Sequence, residues 1–128
     1  MLRLIGGVAA GIVAWFVIVT ILNLGLRYSW PDYHAVEKAL TFTLPMMIAR
    51  LSESGVSSIA SGYVAATVSR NRFSALGSGV LLLIPFGYYH LAVIWDRFPP
   101  WYHLAFLVSL IVLSWLGGLL ANRRPALR

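Results

Sequence analysis

Arg50 and Glu53 stand three residues apart in a stretch that is otherwise apolar or small and polar. On a helix that spacing puts both side chains on one face, where opposite charges can meet. At 100° per residue, Thr43, Ser54, Ser57 and Ser61 share their arc of about 100°. Ile48, Ile59 and Ala66, with Gly55, fall on the opposite side. A charge at the centre of a membrane costs at least about 2.5–3.5 kcal/mol, so such a face turns toward protein or water. Two chemistries follow. Either the face lines an ion or substrate path, with Arg50 binding an anion or Glu53 exchanging a proton, or an Arg50–Glu53 ion pair and the serines hold helices together.

His90 and His103 are the second group with chemical potential. The Pro99-Pro100 break between them allows a hairpin that brings the two rings together, with Asp96 nearby in sequence. Two imidazoles and a carboxylate suit zinc or copper. The spacing matches no dense ligand motif, and the plainer expectation is histidines hydrogen-bonded to loop backbone, with no metal and no cofactor. His34 lies toward the same side. No Ser-His-Asp order, Gly-rich phosphate loop or His-Glu-x-x-His run is present, so no enzyme is expected.

These residues sit in a chain of 128, of which 59% are apolar and only 11% charged, with a mean hydropathy of +0.80. Soluble domains carry about 25% charged residues, and 10 basic plus 4 acidic side chains cannot cover a soluble surface. High hydrophobicity excludes disorder as well. The absence of cysteine removes disulfides, thiolate metal sites and cysteine nucleophiles together. The net charge of +6 forms no basic stripe; it lies between long uncharged runs, which argues for membrane topology and against nucleic acid.

Three runs are uncharged: Leu4 to Leu26, Phe73 to Trp95 and Trp101 to Asn122. Each exceeds the roughly 20 residues a helix needs to cross a bilayer. The first is too long for a signal-peptide core and lacks a small-residue cleavage site, so it reads as a true span. The stretch through Arg50 and Glu53 makes a fourth when its two halves are joined, since a structureless loop of that length is rare. The expectation is an all-α polytopic membrane protein, an antiparallel bundle of four helices at about 4–26, 40–69, 74–95 and 101–122, in one domain over 1–128. Arg3, Arg70, Arg72, Arg123, Arg124 and Arg128 fall on one side, against Arg27, Lys38 and Arg97 on the other. That count predicts cytoplasmic termini in a bacterial-type inner membrane. Tyr28, Trp30, Tyr33, Trp95, Phe98, Trp101 and Tyr102 are expected as an interfacial belt opposite.

Membrane helices associate through small residues. Gly7 and Gly11 make one such pair and Ser114 and Gly118 another, while Gly77 and Gly79 open the third helix and Pro85 predicts a kink in it. The two outer loops look alike: each runs Arg, aromatic, Pro, Tyr-His, from Arg27 to His34 and from Arg97 to His103. In size and span count the chain resembles small multidrug transporters and fluoride channels. The first-helix glutamate of the former has no counterpart here, so no residue role carries over. Two functions fit these residues. One is an oligomer-forming or accessory subunit of a membrane assembly. The alternative is a small oligomeric transporter or channel using Arg50 and Glu53.

Overall fold

The computed structural model describes residues 1–123, so Arg124 and Arg128 of the basic tail lie outside the described residues. Of the described residues 87% are helical, and none forms a strand. Its elements are α1 (Leu2–Ser29), the short α2 (Pro31–Val36), α3 (Leu44–Ser69), α4 (Phe73–Tyr88) and α5 (Pro100–Asn122). A π-helical turn (Tyr89–Val93) and a 3-10 turn (Trp95–Arg97) join α4 to α5.

Helix boundaries follow local chemistry. Pro31, Pro45 and Pro100 stand in the first turns of α2, α3 and α5, where a missing N–H costs nothing. The second span was expected from residue 40. Leu40, however, has φ 57°, and α3 begins only at Leu44, which leaves Phe42 and Thr43 in the link before it. At its other end Arg70 takes the left-handed conformation that closes a helix, and the Asn71 side chain accepts from the N–H of Phe73 to open α4. The chain continues past Pro85 as a helix. Its disturbance comes at the π turn, where the N–H of Ile94 reaches back to the carbonyl of Tyr89.

Directions follow from which residues meet. Gly7 lies against Ala65 and Ser69 while the Trp15 indole donates to the Ser58 hydroxyl, so α1 and α3 run opposite ways. Gly62 meets Ser114 and Arg50 meets Tyr102, so α3 and α5 run together. Gly118 meets Ala75 and His90 meets His103, which sets α4 against α5. Both α3 and α4 pack on all three other long helices.

Three helices are long and apolar enough to cross a membrane: Leu2–Ser29, Phe73–Val93 and Pro100–Asn122. α3 has the length, at 26 residues, but Arg50, Glu53 and its serines keep it out of that set. The surface is largely apolar and the interior is rich in serine. Val13, Val17, Ile84, Leu104, Val108 and Val112 are exposed, whereas Ser57, Ser58, Ser61, Ser78 and Ser114 are fully buried. α3 shows this best. Its exposed large side chains are Leu44, Ile48, Val56 and Val68, and its exposed Ser52 and Thr67 hydroxyls are turned back onto the carbonyls of Ile48 and Tyr63. Ala66 and Gly55, expected on an outward apolar face, are buried against the neighbouring helices.

The small-residue pairs are consumed within the chain. Gly7 and Gly11 sit on α3, and Ser114 and Gly118 sit on α3 and α4. The apolar core is correspondingly small: Trp15, Leu82, Phe106 and Leu110, with a second cluster of Ile94, Phe98 and Tyr102 where the π turn meets α5. The expected aromatic belt is therefore only partial. Tyr28, Trp95 and Trp101 are exposed, but Tyr33, Phe98 and Tyr102 are buried because they pack around Arg50 and the loop ends.

Candidate functional site

Arg50 lies in the second turn of α3, close to the helix ends remote from both termini. Two tyrosines, one from α2 and one from α5, hold it. Its Nη1 donates to the Tyr33 hydroxyl at 2.9 Å and its Nε donates to the Tyr102 hydroxyl at 3.2 Å. The guanidinium carbon stands 4.7 Å from the centre of the Phe42 ring, a cation–π contact. Tyr33 in turn donates to the Asn23 side-chain carbonyl at 2.8 Å. α2 exists to deliver Tyr33, its one buried residue.

The expected Arg50–Glu53 ion pair does not form. Helical spacing permits it, but the tyrosines and Phe42 hold the guanidinium, while Glu53 lines a cavity with residues of α1, α4 and α5. Glu53 is 8% exposed, and its Oε1 is buried without a hydrogen-bond partner. The buried Ser54 hydroxyl also has none. The other polar positions on this side of α3 are satisfied locally: the Ser57 hydroxyl donates to the Glu53 carbonyl, and Ser61 donates to Ser78 at 3.4 Å. Thr43 does not share the face; it precedes the first turn of α3 and is exposed.

Glu53 and Ser54 both line a cavity of about 370 Å³. It lies between the C-terminal half of α1, the first turns of α3, the end of α4 with its π turn, and the start of α5. Thr20, Asn23, Arg27, Glu37, Arg50 and His90 contribute polar groups, and Trp15, Phe16, Phe86 and Phe106 supply an aromatic wall. At the rim, Arg27 grips Glu37 with two donors, Nε to Oε2 at 2.6 Å and Nη2 to Oε1 at 2.8 Å, and Asn23 adds a third at 3.0 Å. Partial burial pushes the Glu37 carboxyl up, but the hydrogen bonds from Arg27 and Asn23 and the Arg27 charge outweigh it, so the group titrates below its ordinary value of 4.5. The stabilisation is present above that value and lost as pH falls through the lowered one. Wild type should therefore melt above a Glu37→Gln variant at pH 7, and the gap should close in acid. A gap unchanged from pH 7 to pH 3 would place its source elsewhere.

His90 and His103 do meet. Their Nδ1 atoms are 2.8 Å apart, and the Nε2 of His103 lies 3.0 Å from the Trp95 carbonyl. The carbonyl can only accept, so His103 carries its proton on Nε2. With both rings neutral, His90 then donates through Nδ1 and keeps a bare Nε2. The π turn sets His90 inward, 4.4 Å from the Phe106 ring centre and on the cavity wall. Asp96 is exposed on the 3-10 turn and does not join them. No group of three His, Cys, Asp or Glu suited to a metal occurs among the described residues. His34 is apart from the pair, exposed and 3.8 Å from Glu37.

Asn23, Arg27, Tyr33, Glu37 and Tyr102 belong to this site although their own stretches of sequence do not mark them for it. The one available signal was the repeated Arg-aromatic-Pro-Tyr-His loop: its two tyrosines, Tyr33 and Tyr102, are the two that clasp Arg50. Comparison with protein-family models, curated proteins and solved structures finds no match to the chain.

Proposed function

We propose that the chain is a four-span antiparallel bundle of a bacterial-type inner membrane, with cytoplasmic termini. In this reading it is a small transporter whose binding step is capture of a small polar solute at the outer end. The observation that carries this is the cavity of about 370 Å³ built by one chain and lined by Glu53 and Ser54, whose buried side chains each hold a polar atom that no described residue satisfies. Small-molecule sites measure about 300–1,000 Å³ and combine apolar walls with a few convergent polar groups. A buried unpaired acceptor in lipid surroundings costs free energy, and binding is the reason such a group is retained.

The fourth span rests on α3, which packs on every other long helix and shows mainly apolar side chains outward. Its charges face the cavity, so they need not meet lipid. Orientation rests on Arg3, Arg70, Arg72 and Arg123 gathering at one end. The alternative is the accessory subunit; the small-residue pairs it would use already pack on α3 and α4 within the chain.

Reporter fusions at Asp32 and Pro99 should read periplasmic and one after Arg128 cytoplasmic; a periplasmic C-terminus would overturn the span count. For the solute, detergent-purified protein should be warmed with a panel of small sugars, amines, carboxylates and zwitterions. At least one class should raise the melting temperature of wild type and fail to do so in Glu53→Gln, and should then accumulate in proteoliposomes. A panel without any such class would remove the solute reading.

A further inference from the structure

The unmet groups in the cavity specify a ligand, and we propose that it is a small zwitterion of α-amino-acid type with an apolar side chain. Its carboxylate meets Arg50, its ammonium meets Glu53 and Ser54, and its side chain lies along Trp15, Phe86 and Phe106. This rests on the solute-binding reading above.

Charge decides first. Four ionisable groups of the acid and guanidinium types line the cavity: Arg27, Glu37, Arg50 and Glu53. Arg27 and Glu37 neutralise each other at the rim with two hydrogen bonds. Arg50 and Glu53 do not. Arg50 touches only neutral hydroxyls and a ring, and the Glu53 Oε1 takes no hydrogen bond from any described residue. Two opposite charges in one partly desolvated space, neither held in a hydrogen-bonded ion pair, are left for something that carries both signs. A simple cation would compensate Glu53 and leave Arg50 bare; a simple anion would do the reverse. Only a zwitterion compensates both and adds no net charge to the site.

Hydrogen-bonding capacity agrees. Arg50 commits Nε and Nη1 to the tyrosines, which leaves the donors on Nη2 for a carboxylate. Glu53 Oε1 is an acceptor without a donor, and the Ser54 hydroxyl lacks any partner. The Nε2 of His90, bare when the histidine pair is neutral, is a further acceptor on the same wall. An ammonium brings three donors to such a set. A quaternary ammonium would bring none, so a protonated amine with N–H donors is specified. The remaining wall is aromatic: Trp15, Phe86 and Phe106 pack on one another, with Phe86 4.9 Å from Trp15 and 5.5 Å from Phe106 between ring centres. Such a surface suits an apolar side chain.

The test uses full-length protein in detergent and three probes of matched shape: leucine, 3-methylbutylamine, which lacks the carboxylate, and 4-methylpentanoate, which lacks the ammonium. Leucine should raise the melting temperature and bind measurably, and each one-charge analogue should bind at least about tenfold more weakly. Glu53→Gln should lose leucine binding while melting no lower than wild type. The analogue comparison needs no variant, so it holds even if changes at Arg50 prevent folding. An amine or an acid that binds as well as leucine would overturn the zwitterion. Binding of a sugar with none of leucine would also overturn it while leaving the solute-binding function standing, and no binding by any class would remove both.

Discussion

Gly62→Ala and Gly117→Ala should each be among the most damaging single substitutions in the chain, although each adds only one methyl group. A Cβ at Gly62 would overlap the carbonyl of Ser114, and one at Gly117 would overlap the carbonyl of Ile59. The contact is reciprocal, glycine of one helix against backbone of the other, so α3 and α5 touch main chain to main chain. No flexible side chain is present to swing aside. In lipid, helices gain nothing from hiding apolar surface from one another, and close packing supplies the attraction instead. Overpacking a soluble core costs about 1–3 kcal/mol; here the obstacle is backbone, and a loss of about 3 kcal/mol or more is expected, seen as a collapsed melting temperature or yield. Gly6, Gly25 and Gly87 are the controls, because a Cβ at each meets nothing within 4 Å. Alanine there should be neutral or stabilise by about 0.5–1 kcal/mol through helix propensity. Equal melts for Gly62→Ala and Gly87→Ala would mean that α3 and α5 are not in contact.

That contrast also marks what the sequence makes legible. Runs such as Leu4–Leu26 leave a helix little alternative in an apolar chain, and α1, α4 and α5 follow from length alone. α3 was readable through the cluster of polar residues on one arc, and the burial of Ser54, Ser57 and Ser61 follows from it. What periodicity could not reach is rotamer choice and loop placement. Arg50 and Glu53 are spaced to pair, yet Arg50 turns toward Tyr33, 17 positions away, and Tyr102, 52 positions away. Those hydroxyls arrive there only once α2 has folded over the site and α5 has packed alongside α3. Glu37 illustrates the same limit. Its partner Arg27 lies 10 residues back across a helix end, a distance to which no helical or strand period applies. Gly62 and Gly117 each stand four residues before an alanine, Ala66 and Ala121, but that spacing does not show what they meet, because their partners are carbonyls and every residue has one.

The absence of an Arg50–Glu53 pair has a measurable consequence, and it separates stability from function. Arg50→Leu should destabilise strongly. It strips a charged donor from two buried tyrosine hydroxyls and a cation from the Phe42 ring. Hydrogen bonds to charged groups contribute about 1.5–3 kcal/mol each, so a loss of about 3 kcal/mol or more is expected. Glu53→Gln or Glu53→Leu should behave in the opposite way, with a melting temperature equal to wild type or above it. No hydrogen bond or ion pair is lost, and the desolvation of a buried carboxylate disappears with the charge. The double variant should then melt like Arg50→Leu alone, with a coupling energy near zero. Had the two residues been paired, each single change would strand a buried charge at a cost of about 3–5 kcal/mol and the double change would recover much of it. Four thermal melts in detergent distinguish these patterns; a recovering double variant would restore the ion pair. That pattern is the one expected of the solute-binding role proposed for Glu53, an ionisable group that contributes to binding and not to stability. Glu53→Gln should accordingly remain folded while solute capture is lost.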